Sequence, residues 1–301
     1  MQNKKTIRRK LSRYGYFPYV LAAIAFYVIF LLMPIISSFS YSLYEWDGFS
    51  ENAVFVGLNN YRVLFSDPRF IQTLDNTFFL AIAGPLIQTS LALVLAVLIA
   101  NVVKGKLFYR TALYLPLILP LVATSIIWFI ILSPHNGILN SIIRLFGFPD
   151  FSLAWLGNTT TALPAVLAIS VWRFTGFNIV IFVTGLQNIS SEYYEAAKMD
   201  GASNIQLFFR ITLPLLSSST MINFALNLIG YLRLFDIIWV TTSGGPAFST
   251  SVISTYIFTH AFQFSAVGIA SAASVILFFI IAFVSGLYMW LVGRSRVRGG
   301  I

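Results

Sequence analysis

The chain has 301 residues, of which 58% are hydrophobic and 10% charged, and it contains no cysteine. An ordinary soluble domain is about 25% charged, so this composition excludes a soluble enzyme and is typical of an integral membrane protein. The absence of cysteine excludes disulfides and thiolate-bound metals. The formal net charge of +9 comes from basic clusters beside apolar segments, which is a signal of membrane topology and not of nucleic-acid binding.

The apolar segments predict the fold class, because a helix needs about 20 apolar residues to cross the hydrocarbon core. We predict an all-α, polytopic membrane protein with about six transmembrane helices. Prolines inside these segments are expected to mark kinks or ends, since membrane helices tolerate proline. The predicted spans are approximately Phe17–Ser38, Phe78–Ala100, Thr111–Leu132, Ala162–Leu186, Leu213–Val240 and Val267–Val292.

The distribution of lysine and arginine predicts the orientation. A basic N-terminus at residues 1–16 precedes a transmembrane domain at 17–293, and a basic tail follows at 294–301. Among the connections, the second-to-third and the fourth-to-fifth hold five basic residues and the predicted outer ones hold three, so the positive-inside rule assigns the former to the cytoplasm. Both termini are therefore predicted to be cytoplasmic.

Two predicted outer connections have distinct compositions. The connection between residues 39 and 77 is long and acidic, whereas the one between 241 and 266 contains the turn signal Gly244-Gly245-Pro246. The apolar stretch Ser251–Phe264 is too short to span the membrane, so we predict a surface or re-entrant helix there.

The inner connection at residues 187–212 has the pattern of a helix, a turn and a second helix. Ser191 is the predicted N-cap of the first helix, with Glu192 and Glu195 in its first turn. Gly201 is placed where that helix ends, Ser203 is predicted to cap the second helix, and Pro214 suits the start of the next span. From the residues alone, this segment is either a rigid element that transmits force to a partner or an ordinary amphipathic loop.

The same segment resembles a known signature. Glu195-Ala196-Ala197, Asp200-Gly201-Ala202 and the run from Ile211 to Pro214 are similar to the EAA motif in permeases of binding-protein-dependent ABC importers. Many members of that family have a proline before the first helix, where this chain has Ser190-Ser191. Further segments resemble the sugar-type permeases, including those for maltose and glycerol-3-phosphate: Gly57–Tyr61, Asp67–Phe70, Arg110–Pro116, Gly185–Gln187 and Gly244–Pro246.

The resemblance covers nearly the whole chain and implies the type I ABC importer permease fold. It implies that the 187–212 loop is a coupling helix that docks on a cytoplasmic ATPase. The implied partners are a second permease, a dimer of ATPase subunits, an extracytoplasmic solute-binding protein and membrane lipid, in a bacterial or archaeal cell membrane. The coupling residues carried over are Glu195, Ala196, Ala197, Asp200, Gly201, Ala202, Ile211, Leu213 and Pro214.

No phosphate-binding Gly-x-x-x-x-Gly-Lys-Ser/Thr motif occurs in the chain. The chain is therefore predicted to be a permease subunit without enzymatic activity or a cofactor of its own, and ATP and Mg are expected in the partner ATPases. His135 and His260 are isolated, so no metal site is predicted.

Polar residues inside the spans are the candidates for the solute path: Asn178, Asn223, Asn227, Tyr231, Arg173 and Arg233. Asn223, Asn227 and Tyr231 are spaced i, i+4 and i+8, which places them on one helical stripe. Amides and an aromatic ring suit a sugar, although such residues also form polar contacts between helices. The two arginines would bind an anionic sugar, pair with Asp236, or extend toward the membrane surface.

Two other classes of function fit the sequence less well. An ion-coupled secondary transporter would favour carboxylates inside the membrane, and the predicted spans lack them except for Asp236 at the end of the fifth. A membrane enzyme would need a cluster of catalytic residues, which is absent from the sequence. The main hypothesis is therefore a sugar importer permease, and the alternative solute is an anionic or phosphorylated sugar.

Overall fold

The structure is a computed structural model that describes residues 17–101 and 105–299. The basic stretch at 1–16, Lys104 and the last two residues of the tail lie outside the described residues. The chain forms two compact units. The first comprises the chain up to Ser66 together with Ile257–Ile276, and the second comprises Asp67–Tyr256 together with the chain from Leu277 onward.

The first unit begins with a long apolar helix. Helix α1 (Phe17–Tyr27) continues through a π-helical turn (Val28–Leu32) into α2 (Met33–Tyr41). A short antiparallel hairpin of β1 (Tyr44–Glu45) and β2 (Val54–Phe55) precedes α3 (Asn59–Ser66). The buried Asn60 amide donates to Ser42 O (2.8 Å) and Tyr44 O (2.9 Å), which ties the hairpin to α3.

The second unit contains most of the remaining helices, and the last two helices contribute residues to both units. The helices are α4 (Pro68–Asn101), α5 (Lys106–Ile118), α6 (Leu121–Ile131), α7 (Ile138–Leu145), α8 (Ala162–Gln187), α9 (Ser191–Met199), α10 (Asn204–Leu207), α11 (Leu213–Leu215), α12 (Ser217–Leu232), α13 (Asp236–Thr241), α14 (Ile253–Phe258) and α15 (Val267–Gly299). π-Helical turns at Phe208–Thr212 and Thr259–Gln263 follow α10 and α14.

The helices confirm the all-α prediction and refine the predicted spans. Four unbroken helices are long and apolar enough to cross a membrane: Tyr19–Tyr41, Pro68–Ala100, Ala162–Gln187 and Val267–Arg294. Two bent pairs also qualify if each counts as one span: Thr111–Ile118 with Leu121–Ile131, bent by 107°, and Asn204–Leu215 with Ser217–Leu232, bent by 67°. The part of the chain that the structure describes therefore holds four to six spans.

The predicted third span is present as a bent pair of helices, and Pro120, one of the prolines expected to mark kinks or ends, lies at the break. Leu119 and Pro120 are both extended, with ψ of 137°, and they separate α5 from α6. Proline lacks an N–H and disfavours helical geometry in the residue before it, so the chain leaves the helix at Leu119.

The predicted end of the fifth span, Val240, was wrong. Helix α12 stops at Leu232, and the chain turns before α13 begins at Asp236. The second span is longer than predicted, since α4 begins at Pro68 and not at Phe78. The short helix predicted within Ser251–Phe264 is present as α14 and its π-helical turn.

Helix α8 forms the centre of the second unit and packs against α4 and α5, while α12 also packs against α4. One apolar cluster joins Val166 and Ile169 of α8 to Ile238 of α13. A second cluster joins Phe182 of α8 to Ala96 of α4. These contacts hold α4, α8 and α12 side by side, which positions the polar residues described next.

Candidate functional site

A cavity of about 370 Å³ opens within the second unit among residues of α4, α8 and α12. Its walls combine amide side chains with aromatic rings, contributed by Gln88, Phe174, Phe177, Asn178, Asn227 and Tyr231. Arg233 and Asp236, which flank the turn after α12, also line it. The cavity therefore brings together four of the six residues predicted to line the solute path: Asn178, Asn227, Tyr231 and Arg233.

The polar stripe on α12 is buried, as its spacing predicted. Asn223, Asn227 and Tyr231 are 0%, 8% and 4% exposed. The Asn227 amide donates to Asn178 Oδ1 (3.0 Å) on α8 and to Thr89 Oγ1 (3.2 Å) on α4. Asn227 thereby links three helices at the wall of the cavity.

Two further hydrogen bonds extend this network. The Tyr231 hydroxyl donates to Gln88 Oε1 at 2.6 Å. The Asn223 amide makes a longer bond of 3.4 Å to the backbone oxygen of Asn178. Gly84 makes room for the Tyr231 ring, since a Cβ at this glycine would approach the ring carbons to 2.6 Å.

Two atoms in the network have no hydrogen-bond partner among the described residues: Gln88 Nε2 and Asn223 Oδ1. Leaving a buried polar group unpaired costs about 1–3 kcal/mol, and Nε2 of Gln88, a residue that lines the cavity, is such a donor in this conformation. Gln88 and Thr89 were missing from the sequence prediction. Applying the criterion of polar residues inside apolar spans to α4 would have identified both.

Arg173 occupies a different place from the rest of the predicted path. Its Nη1 donates to Leu119 O (3.0 Å), Thr124 Oγ1 (2.8 Å) and, at 3.4 Å, Pro116 O. These groups lie at the break between α5 and α6, where helix carbonyls lack their usual partners. The buried guanidinium therefore caps the end of α5, where a positive charge also suits the helix dipole.

The inner loop has the predicted helix–turn–helix form. Helix α9 is capped by Ser190, whose hydroxyl accepts from the Glu192 N–H at 3.3 Å, so the cap lies one residue before the predicted Ser191. Gly201 has a φ of +77°, which favours glycine, and the helix ends there. Ser203 and Gln206 form a capping box at the start of α10, which confirms the predicted second cap.

The EAA-like residues are divided between the surface and the base of this loop. Glu195, Ala196, Asp200, Gly201 and Pro214 are exposed. Ala197, Ala202, Ile211 and Leu213 are half-buried.

Both the base and the tip of the loop have a defined structure. At the base, Leu213 and Phe208 pack against the cluster that contains Phe182. The Tyr194 hydroxyl lies 3.1 Å from Thr212 Oγ1, which joins α9 to the segment leading into α12. The tip exposes Met199 to 88%, so an anchored loop presents acidic and apolar side chains together.

Apolar helices, a polar cavity among them and an anchored inner loop define a multi-pass membrane transport component. The chain belongs to the family of binding-protein-dependent transport system inner membrane components, whose model matches residues 88–297. The matched range includes α8, the loop at 187–212 and α12, and it confirms the resemblance to ABC importer permeases.

Individual relatives match over nearly the full chain. The trehalose/maltose transport system permease protein MalF of Thermococcus litoralis is 31% identical, with 98% of this chain and 99% of the relative covered. The multiple sugar-binding transport system permease protein MsmF of Streptococcus mutans is 32% identical, with 97% and 100% covered. The diacetylchitobiose uptake system permease protein NgcF of Streptomyces coelicolor is 33% identical, with 97% and 86% covered.

The fold matches a solved structure. A chain of a bacterial ABC transporter involved in the import of the acidic polysaccharide alginate superimposes with a TM-score of 0.83 at 23% identity, with 96% of this chain and 99% of that chain covered. The fold is therefore that of an ABC importer permease, as predicted.

Proposed function

We propose that this chain forms, together with a second permease, the membrane path of an ABC importer for a neutral sugar that an extracytoplasmic binding protein delivers. The observation that carries this proposal is the cavity whose wall combines Gln88, Asn178 and Asn227 with aromatic rings. The printed names of relatives that transport trehalose and maltose, diacetylchitobiose or multiple sugars support the same class of solute.

The chemistry of the wall suits a sugar. Amide groups both donate and accept hydrogen bonds, so they can pair with a sugar hydroxyl that acts either as acceptor or as donor. Phe174 and Phe177 offer apolar surface for the C–H face of a pyranose ring. Tyr231 is engaged with Gln88 in this conformation, so we assign it the role of orienting the Gln88 amide, and we assign stacking to the two phenylalanines.

The charges favour a neutral solute over an anionic one. The guanidinium of Arg173 is occupied by groups at the α5–α6 break. Arg233 and Asp236 both line the cavity, so its lining carries one positive and one negative side chain. A phosphorylated or acidic sugar would therefore meet little net positive charge here.

We further propose that the loop at 187–212 docks on a dimer of cytoplasmic ATPase subunits that bind ATP and Mg. Exposed Glu195 and Asp200 supply negative charge beside the apolar tip at Met199, and Glu195 is expected to meet a basic residue of the ATPase. In this arrangement, residues 1–16 and the tail at 294–301 are cytoplasmic, and residues 17–293 form the permease domain.

The test is sugar uptake by the assembled importer in vesicles with ATP inside. We expect Gln88→Leu to reduce uptake of a neutral oligosaccharide at least about tenfold, because a lost bond to a solute hydroxyl costs about 1.4 kcal/mol or more. Asn227→Leu should also reduce uptake, because it removes the bonds of Asn227 to Asn178 and Thr89. Thr184→Val on the exposed side of α8 is the matched control and should transport normally. Unchanged uptake by both leucine variants, or stronger competition by anionic sugars than by neutral ones, would refute the assignment.

A further inference from the structure

Helix α7 is amphipathic, but its apolar side is exposed, whereas a surface helix of a soluble protein buries its apolar side. Ile138, Ile142, Leu145 and Phe146 project from one side and are exposed, Leu145 to 86% and Phe146 to 80%. We call these four residues the α7 apolar face. Asn140 and Arg144 lie on the other side of the helix, and the half-buried Ser141 borders the apolar face.

The inward direction of the polar side is held by specific bonds. The fully buried Asn140 donates to the backbone oxygens of Pro134 (2.9 Å) and Leu153 (2.9 Å), and its own oxygen accepts from Trp155 Nε1 (2.8 Å). Arg144, the one charged residue of α7, donates to His135 O (2.9 Å) and to Phe151 O (3.2 Å). With Asn140 and Arg144 turned inward, the α7 apolar face is free of charged groups.

The packing of α7 fixes its level along the spans. Leu139, on the inner side, packs against the cluster that contains Leu163 and Val166 in the first turns of α8. Helix α8 is an apolar span that begins at Ala162. The α7 apolar face therefore lies beside the beginning of that span.

The neighbouring surface is also apolar. Phe129 and Ile130, in the last turn of α6, are exposed to 63% and 57%, and only a short turn separates them from Ile138. An apolar face without charged side chains suits the boundary between headgroups and acyl chains.

We propose that the α7 apolar face is a membrane-interface anchor that inserts between phospholipids of the leaflet beside the first turn of α8. Such helices lie in the interface with the apolar side about 5–10 Å below the headgroup boundary. This inference rests on the location of the chain in a membrane and is independent of the transported solute.

The absence of native cysteine makes a direct test practical. Leu145→Cys and, in a second variant, Ile142→Cys are spin-labelled in the complete importer reconstituted in phosphatidylcholine–phosphatidylglycerol vesicles. Asn136→Cys, in the exposed turn before α7, is the matched control. Power saturation compares collisions of each label with oxygen, which concentrates in lipid, and with a water-soluble nickel chelate.

We expect oxygen collisions to exceed nickel collisions at positions 142 and 145 and the reverse at position 136. Greater nickel access at 142 and 145 would overturn the proposal, because the face would then be in water. Low access of both reagents would also overturn it, because a protein partner would then cover the face.

Discussion

Replacing Arg173 with methionine tests whether this residue holds the broken third span together. The change keeps most of the side-chain volume and removes the two well-formed bonds to Leu119 O (3.0 Å) and Thr124 Oγ1 (2.8 Å). Hydrogen bonds to charged groups contribute about 1.5–3 kcal/mol each. Relief from burying a guanidinium offsets part of the resulting 3–6 kcal/mol, so we expect a net loss of about 3 kcal/mol.

The assay is thermal unfolding of the detergent-purified chain. For a domain of this size, 1 kcal/mol corresponds to about 2–4 °C, so Arg173→Met should lower the unfolding temperature by roughly 6–12 °C. Arg173→Lys retains the charge without the planar fork and should fall between the wild type and Arg173→Met. Arg62→Met, at an exposed arginine, is the control. A shift for Arg173→Met no larger than that control would refute the capping role.

Three other predictions concern packing, coupling and the cavity. Gly176→Ala should destabilise the chain by about 1–3 kcal/mol, because a Cβ there would meet the backbone of Leu113 and Tyr114, whereas Gly286→Ala, with open space around it, should unfold like the wild type. Tyr194→Phe should reduce ATP-driven uptake several-fold while ATP hydrolysis continues, because the bond to Thr212 at 3.1 Å is lost. Tyr193→Phe, at an exposed neighbour, is the control. Equal uptake by the two variants would contradict a role of the Tyr194–Thr212 bond in coupling. Gly84→Leu should abolish uptake by displacing the Tyr231 ring, and a variant that transports normally would show that the ring position is unimportant.

Sequence patterns predicted the features that depend on local rules. The length of each apolar run predicted the helical membrane fold, because the thickness of the hydrocarbon core fixes that length. Gly201 and Ser203 were correctly placed at a turn and a cap, because φ preference and capping depend on adjacent residues. The spacing of Asn223, Asn227 and Tyr231 predicted one buried stripe for the same reason.

The features that the sequence did not predict depend on distant contacts. Pro85 and Pro116 lie inside helices, whereas Pro120 lies in the break between α5 and α6. Proline alone therefore does not determine where a helix ends. The break is supplied with donors by Arg173 from another helix, which no local pattern encodes. The pairing of Tyr231 with Gln88 likewise depends on the register of α4 against α12.

A small error in the inner loop has a similar origin. Ser190 and Ser191 are equally good N-caps by residue type, and the structure uses the first of them. Capping propensity cannot distinguish two adjacent serines, so the backbone path after α8, which ends at Gln187, determines which of them caps α9.

We propose that ATP, and not an ion gradient, drives a neutral sugar through this chain. The most direct measurement is uptake of labelled sugar by vesicles that contain the complete importer, with binding protein outside and either ATP or a non-hydrolysable analogue inside, in the presence and absence of an imposed proton or sodium gradient. We predict uptake with ATP alone and none with the analogue, whatever the gradient. Sugar accumulation that follows the gradient without ATP hydrolysis would contradict the account.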